Sequence, residues 1–204
     1  MKNNDLKFAT KAIHTGVEPD SATGAIMTPI YQTSTFVQEK IGLNKGFAYS
    51  RSANPTRKAL EDNLAALENG NFGMAFGSGM AAIDCVLKIL KPGDEVICGN
   101  DLYGGSYRIF TTVFSHYDIA FKFVDFSDLD LVNKSISDKS KLIWVESPTN
   151  PMLGIVDLKA VAEICKSKHL LFAVDNTFAS PYLQNPLNLG ADIVMHSATK
   201  YLGG

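Results

Sequence analysis

Residues 142–175, LIWVESPTNPMLGIVDLKAVAEICKSKHLLFAVD, decide the fold class. Leu142-Ile-Trp-Val is a wholly apolar run, too short for a buried helix, and it reads as a buried strand ending at Glu146. Ser147-Pro-Thr-Asn-Pro151 is loop punctuation. Leu158, Val161, Ile164 and Cys165 then recur at helical spacing and mark an inward helix face. Leu170-Leu-Phe-Ala-Val174 is a second buried strand, ended by Asp175. A helix joining two buried strands argues a parallel pair, whose strands need such a crossover connection.

The same alternation extends outward. Downstream, Ile193–His196 reads as the last strand. Upstream, Asp128–Ile136 and Tyr103–Tyr117 read as helices, and Ile119–Phe126 and Glu95–Cys98 as strands. Gly73–Phe76 is expected as a short strand feeding Gly77-Ser-Gly79 and an apolar helix through Leu90. Asn54-Pro55 is an N-cap followed by proline at the first helical position. It opens a helix with Leu60, Leu64 and Leu67 on one face, closed by Asn69-Gly70. The fold class is α/β, a mostly parallel sheet with helices on both faces. Residues 1–48 show no such period, but Ile26, Ile30, Tyr31 and Phe36 make them an expected extended arm that contacts a neighbouring subunit. Residues 49–204 form the main domain.

Composition narrows the function classes. The 204 residues are 46% hydrophobic and 20% charged, enough to bury a core. A net charge of −2 leaves no basic footprint for nucleic acid. No apolar run reaches the ~20 residues of a membrane span. Met1–Thr10 is polar, without the apolar stretch of a secretory signal, so a cytoplasmic location is expected. Cys85, Cys98 and Cys165 form no CxxC pair and read as reduced core residues. His14, His116, His169 and His196 have no metal-ligand spacing, and no metal is expected.

Ligands of parallel sheets gather at the carboxyl ends of the strands, and the polar residues expected there converge. Gly77-Ser-Gly-Met-Ala-Ala82 lets backbone N–H groups approach an anion at a helix N-terminus. It also satisfies G-x-G-x-x-A, with Asp101 available as a ribose-binding acid, so a dinucleotide site competes; tight packing is the plainer alternative. Ser197-Ala-Thr-Lys200 matches the S-x-x-K of serine–lysine enzymes, but S-D-N and K-T-G are missing. Asp175 at the end of a buried strand needs a cationic or hydrogen-bonding partner. An anion cradle, a partner for a protonated ring nitrogen and a lysine able to form a Schiff base together are what pyridoxal phosphate (PLP) requires.

Six strings then carry a resemblance: Tyr49-Ser-Arg51-Ser-Ala-Asn-Pro-Thr56, Gly77–Ala82, Tyr103-Gly-Gly-Ser, Glu146-Ser-Pro-Thr-Asn-Pro151, Val174-Asp-Asn-Thr-Phe178 and Ser197-Ala-Thr-Lys-Tyr201. In order and spacing the chain resembles the Cys/Met-metabolism PLP enzymes, which include cystathionine γ-synthase, γ-lyase, β-lyase and methionine γ-lyase. The resemblance implies the large domain of a fold type I PLP enzyme. Lys200 would hold the cofactor covalently and shuttle protons, Asp175 would keep the ring nitrogen protonated, and Tyr103 would stack on the ring. Backbone N–H groups of Gly79 and Met80 and the hydroxyls of Ser197 and Thr199 would bind the phosphate. Asn150 would lie near the ring 3-hydroxyl, and Tyr49 and Arg51 would reach the phosphate of a neighbouring subunit, in a homodimer of active sites assembled as a homotetramer.

Gly105 stands where methionine γ-lyases carry cysteine, which points to the synthase and lyase branches and to small sulfur amino acids as substrates. Family members continue past the position of Gly204 into the rest of the large domain and a C-terminal domain. The chain is therefore expected to be an N-terminal fragment lacking the arginine for the substrate carboxylate. The resemblance favours γ-replacement on an activated homoserine by cysteine, as in methionine biosynthesis, with cystathionine γ- or β-lysis as the alternative. An NAD-dependent oxidoreductase and a non-catalytic regulator remain competing readings.

Overall fold

The computed structural model describes residues 6–204. The chain divides into two compact units between Ala75 and Phe76. The first contains α1 (Phe8–His14), a small hairpin of β1 (Gln38–Lys40) and β2 (Leu43–Asn44), and α2 (Pro55–Leu67). Asn54 caps α2 as expected, its side-chain oxygen accepting the Thr56 N–H at 2.9 Å. Asn63 of α2 donates to the carbonyls of Lys11, Ala12 and Thr15 at 2.9–3.2 Å, satisfying backbone acceptors at the end of α1. These bonds group α2 with the N-terminal segment, in the unit that runs to Ala75. Leu67 is buried, but Leu60, expected on the same inward face, is 51% exposed.

The strand expected over 73–76 does not form. Ala75 donates its N–H to Glu61 Oε1 at 3.0 Å, and a Cβ on Gly73 would come within 2.2 Å of the Glu61 carbonyl oxygen. Held closely against α2, the segment has no neighbouring strand to pair with.

The second unit is a five-stranded parallel sheet. It is built from β3 (Glu95–Gly99), β4 (Ala120–Val124), β5 (Ser140–Glu146), β6 (Leu171–Asp175) and β7 (Ile193–Met195), in the order β4-β3-β5-β6-β7. Alternate residues face opposite sides, and both sides are covered. Leu142 and Trp144 pack with Val96, Cys98 and the α3 (Gly79–Leu87) residues Ile83 and Leu87. Ile143 and Val145 pack with Ile97, Phe172 and Val174 beneath α5 (Leu129–Ser135) and α6 (Leu158–Lys168), which supply Val132, Leu158, Val161 and Cys165. Two-sided burial is why β5 and β6 read as continuous apolar runs. Cys85 is the exception among the thiols: Ile83 and Leu87 point inward from α3, and Cys85 between them is exposed.

The helix expected over 103–117 changes pitch. α4 (Gly104–Arg108) passes into a π turn over 109–113 and a 3-10 turn over 114–117, closed by Asp118 at φ 59°. Thr111, Thr112 and Ser115 bond back to carbonyls one turn earlier at 2.6–2.8 Å, a competition that bends helices. The widened turn buries both Phe110 and Phe114, with Phe110 stacked 4.8 Å from Phe121 and edge-on to Trp144.

From β3 the chain moves outward to β4, then returns to the other side of β3 and continues through β5, β6 and β7. The direction reverses between β3 and β5, so the crevice outside their carboxyl ends is where such a sheet binds ligands.

Candidate functional site

That crevice holds a cavity of about 240 Å³. Tyr103 enters it from the loop after β3, and Glu146, Pro148 and Asn150 from the end of β5. Asp175 ends β6 and Thr177 and Phe178 follow it, Met195 ends β7 and Ser197, Thr199 and Lys200 follow it, and Ser78, Gly79 and Met80 bring in the start of α3.

Each side chain has a local reason for its place. Ser78 caps α3 by accepting the Ala81 N–H at 3.1 Å, which leaves the first N–H groups of the helix facing the crevice. A Cβ on Gly79 would meet the Ser197 Cβ at 3.0 Å, so glycine lets α3 and the loop after β7 approach. Thr177 joins two of the loops: its N–H donates to Asp175 Oδ1 at 3.0 Å, and its hydroxyl accepts the Ser197 N–H at 2.9 Å. Asn150 belongs to a loop anchored from outside. There the Thr149 hydroxyl and the Met152 N–H both donate to Asp101 Oδ2. Lys200 and Thr199 lie on the exposed side, in the turn that follows β7.

The floor is electronegative. Glu146 and Asp175 end adjacent strands in register, and both are buried, at 5% and 8% exposure. Burial pushes the Glu146 carboxyl up to about 8, with help from the charge of Asp175 and, less, of Asp101. The Tyr103 N–H, held by both Glu146 oxygens at 2.8 and 2.9 Å, and the Ser106 hydroxyl work against that rise. Burial also raises the Asp175 carboxyl, opposed by its bonds from Thr177 and by the field of His196. Among the described residues neither carboxylate forms an ion pair with lysine or arginine.

Eight of the expected site residues therefore share one cavity: Gly79, Met80, Tyr103, Asn150, Asp175, Ser197, Thr199 and Lys200. Tyr49 and Arg51 do not line it. They belong to the first unit, where the Arg51 guanidinium lies 4.9 Å from the Tyr49 ring centroid. Asp101, the candidate ribose acid of a dinucleotide site, is instead committed to Thr149 and Met152. Among the lining residues not expected are two polar ones with a clear place in the site, Glu146 and Thr177. Glu146 carries the same signal as Asp175, a carboxylate closing an apolar strand. Thr177 had no signal, since its role depends on two loops meeting.

Residues 9–204 match the family described as Cys/Met metabolism PLP-dependent enzyme. The chain belongs to that family. It is 54% identical over 198 residues to a cystathionine gamma-synthase of Mycobacterium tuberculosis, covering 96% of this chain and 51% of the relative. It is 52% identical over 205 residues to a cystathionine beta-lyase of Coxiella burnetii, covering 99% and 53%. A solved structure of cystathionine gamma-lyase from Lactobacillus plantarum, complexed with L-serine, superposes with a TM-score of 0.95 at 50% identity, covering 98% of this chain and 52% of that one. The chain thus spans about half the length of the curated relatives it matches. The cofactor of this family is PLP.

The donor set fits such a group. The α3 N-terminus with the Ser197 and Thr199 hydroxyls suits a phosphate. The Lys200 amine suits an aldehyde, and two buried carboxylates suit a protonated ring nitrogen. No described helix is long and apolar enough to cross a membrane.

Proposed function

We propose that this chain carries the cofactor site of a trans-sulfuration enzyme acting on small sulfur amino acids, of the cystathionine γ-synthase type. The observation that carries the reading is the meeting of Asp175, Lys200 and the α3 N-terminus in one cavity at the sheet's switch point. When bound, PLP supplies an electron sink for bonds broken and formed along the substrate amino acid.

The chain's own residues do the rest. Gly79 and Met80 N–H groups and the hydroxyls of Ser197 and Thr199 anchor the phosphate. Asp175 holds a proton at the ring nitrogen, its Oδ1 oriented by the Thr177 N–H. The Lys200 Nζ would hold the cofactor covalently and would take and return protons at the substrate carbon. The Tyr103 ring covers the ring face, and Asn150 steadies the 3-hydroxyl. Tyr49 and Arg51 serve the phosphate of a neighbouring subunit, in a homodimer of active sites within a homotetramer. Their segment is tied down for that role: Ser50 Oγ donates to the Thr33 carbonyl, and Arg57 Nη2 to the Ser52 carbonyl at 2.7 Å.

Borohydride reduction followed by peptide mapping tests the site, with a pyridoxyl label expected at Lys200; a label on another lysine overturns the assignment. Assays with cysteine plus an activated homoserine ester, and separately with cystathionine, divide γ-replacement from the second reading. That second reading is γ- or β-lysis of cystathionine, supported by relatives of both names at similar identity.

A further inference from the structure

Glu146 has no part in the roles above, yet it is the most tightly built carboxylate of the cavity. Strand register sets it beside Asp175, and the Asp101 carboxylate adds a second negative charge to its surroundings. From α4 and the residue before it come the Tyr103 N–H, taken by both oxygens, and the Ser106 hydroxyl at 3.4 Å. His196, after β7, bears on Asp175, and Lys200 lines the same cavity. Burying two adjacent carboxylates as two charges is unfavourable without a cation, so the pair shares a strong preference for retaining a proton.

We propose that Glu146 couples cofactor binding to a proton: seating a protonated ring nitrogen against Asp175 releases the Glu146 proton to solvent and tightens the Glu146 grip on the Tyr103 N–H. A cation at Asp175 favours the charged form of every carboxylate near it, so the neighbouring Glu146 loses its reason to stay neutral. A protonated carboxyl has one oxygen committed as a hydroxyl, whereas the carboxylate accepts with both. Bonds to a charged acceptor are also about twice as strong as neutral ones. Occupancy of the floor thus stiffens the attachment of Tyr103, a residue 43% exposed that lines the cavity. Glu146 is a positioning residue in this scheme; it acts on the ring through Tyr103 and needs no direct contact with it.

This rests on the cofactor reading above, and the test separates the two. The Lys200→Ala protein, stripped of cofactor, is titrated with PLP by calorimetry at about pH 7, in buffers of contrasting ionisation enthalpy. Removing the lysine removes its own proton from the count. The same titration is run on Lys200→Ala/Glu146→Gln, and on Lys200→Ala/Glu146→Met, which is close in volume and has no proton to give. The expected result is that Lys200→Ala releases close to one more proton per bound PLP than either double variant, a difference set by a carboxyl at about 8. Equal proton counts with PLP bound in all three proteins overturn the coupling and leave the cofactor site standing. Absence of binding heat and of any change in PLP absorbance in Lys200→Ala overturns the cofactor site itself, and the coupling with it.

Discussion

Two buried glutamates sit at opposite ends of neighbouring strands and are treated in opposite ways. Glu95 opens β3 and Glu146 closes β5. Burial alone would raise the Glu95 carboxyl, but Lys122 at 2.8 Å and the hydroxyls of Ser140 and Ser137 at 2.5 and 2.9 Å bring it below the usual carboxylate range. Glu146 meets N–H and O–H donors but no lysine or arginine among the described residues, and Asp175 lies beside it. Its carboxyl rises to about 8. The amino end of the sheet is electrostatically closed and serves stability. The carboxyl end is left with two adjacent acids that no lysine or arginine pairs among the described residues, and such a pair at a switch point is what a cationic ligand needs.

The largest expected break of this comparison is Asp175→Asn. Asparagine keeps the bond from the Thr177 N–H but cannot hold a ring-nitrogen proton. Turnover should fall ~10²-fold or more, as when a preorganised electrostatic partner is removed, while the unfolding midpoint stays close to wild type. Glu95→Ala should do the reverse. Losing hydrogen bonds to a charged group should cost about 2 kcal/mol in urea unfolding, with turnover per folded molecule unchanged.

The pH dependences sharpen the contrast. Glu95, with its pKa lowered, contributes stability present above about 4.5 and lost as pH falls, so the gap between wild type and Glu95→Gln should close in acid. Glu146, with its pKa raised, contributes instability that grows as pH rises from about 4.5 to about 8. Cofactor-free Glu146→Gln should therefore gain on wild type over that range. Slopes of the same sign would remove the distinction between the two ends.

Gly105→Ala probes the carboxyl end sterically. A Cβ there would lie 2.3 Å from the Tyr103 Cε1 and 2.8 Å from the Met80 Sδ. Because even small misplacements at a reacting centre are costly, roughly a tenfold loss in kcat/KM is expected from the displaced Tyr103 ring. Unchanged kinetics would mean that the Tyr103 ring does not set the site. The smallest effect concerns Cys85. Iodoacetamide should label this exposed thiol in the native protein and spare Cys98 and Cys165, whose thiols are buried and raised by that burial. Native-state labelling of either buried thiol would contradict the packing described.

Much of this was legible in the sequence because burial on both faces leaves a plain trace. The apolar runs of β5 and β6, the 158–165 helix spacing and the Asn54 cap all emerge where expected or within a residue or two. Gly73–Phe76 misled because its composition suits a strand, while pairing depends on a neighbour that composition cannot reveal. Cys85 misled because an apolar helix has an outer face as well as an inner one. Within the site, Asp175 and Lys200 were readable as strand-end residues. Thr177 was not, since its two bonds span loops that meet only in three dimensions.

The central claim is that the carboxyl-end floor exists to hold a protonated ring nitrogen. Nitrogen-15 NMR of the protein carrying ring-labelled PLP measures that proton directly. The account predicts a pyridinium shift maintained from about pH 6 to 9, because an adjacent carboxylate favours the charged ring, and a neutral-pyridine shift in Asp175→Asn. A neutral-pyridine shift in the wild type, or a pyridinium shift unchanged in the variant, would contradict it.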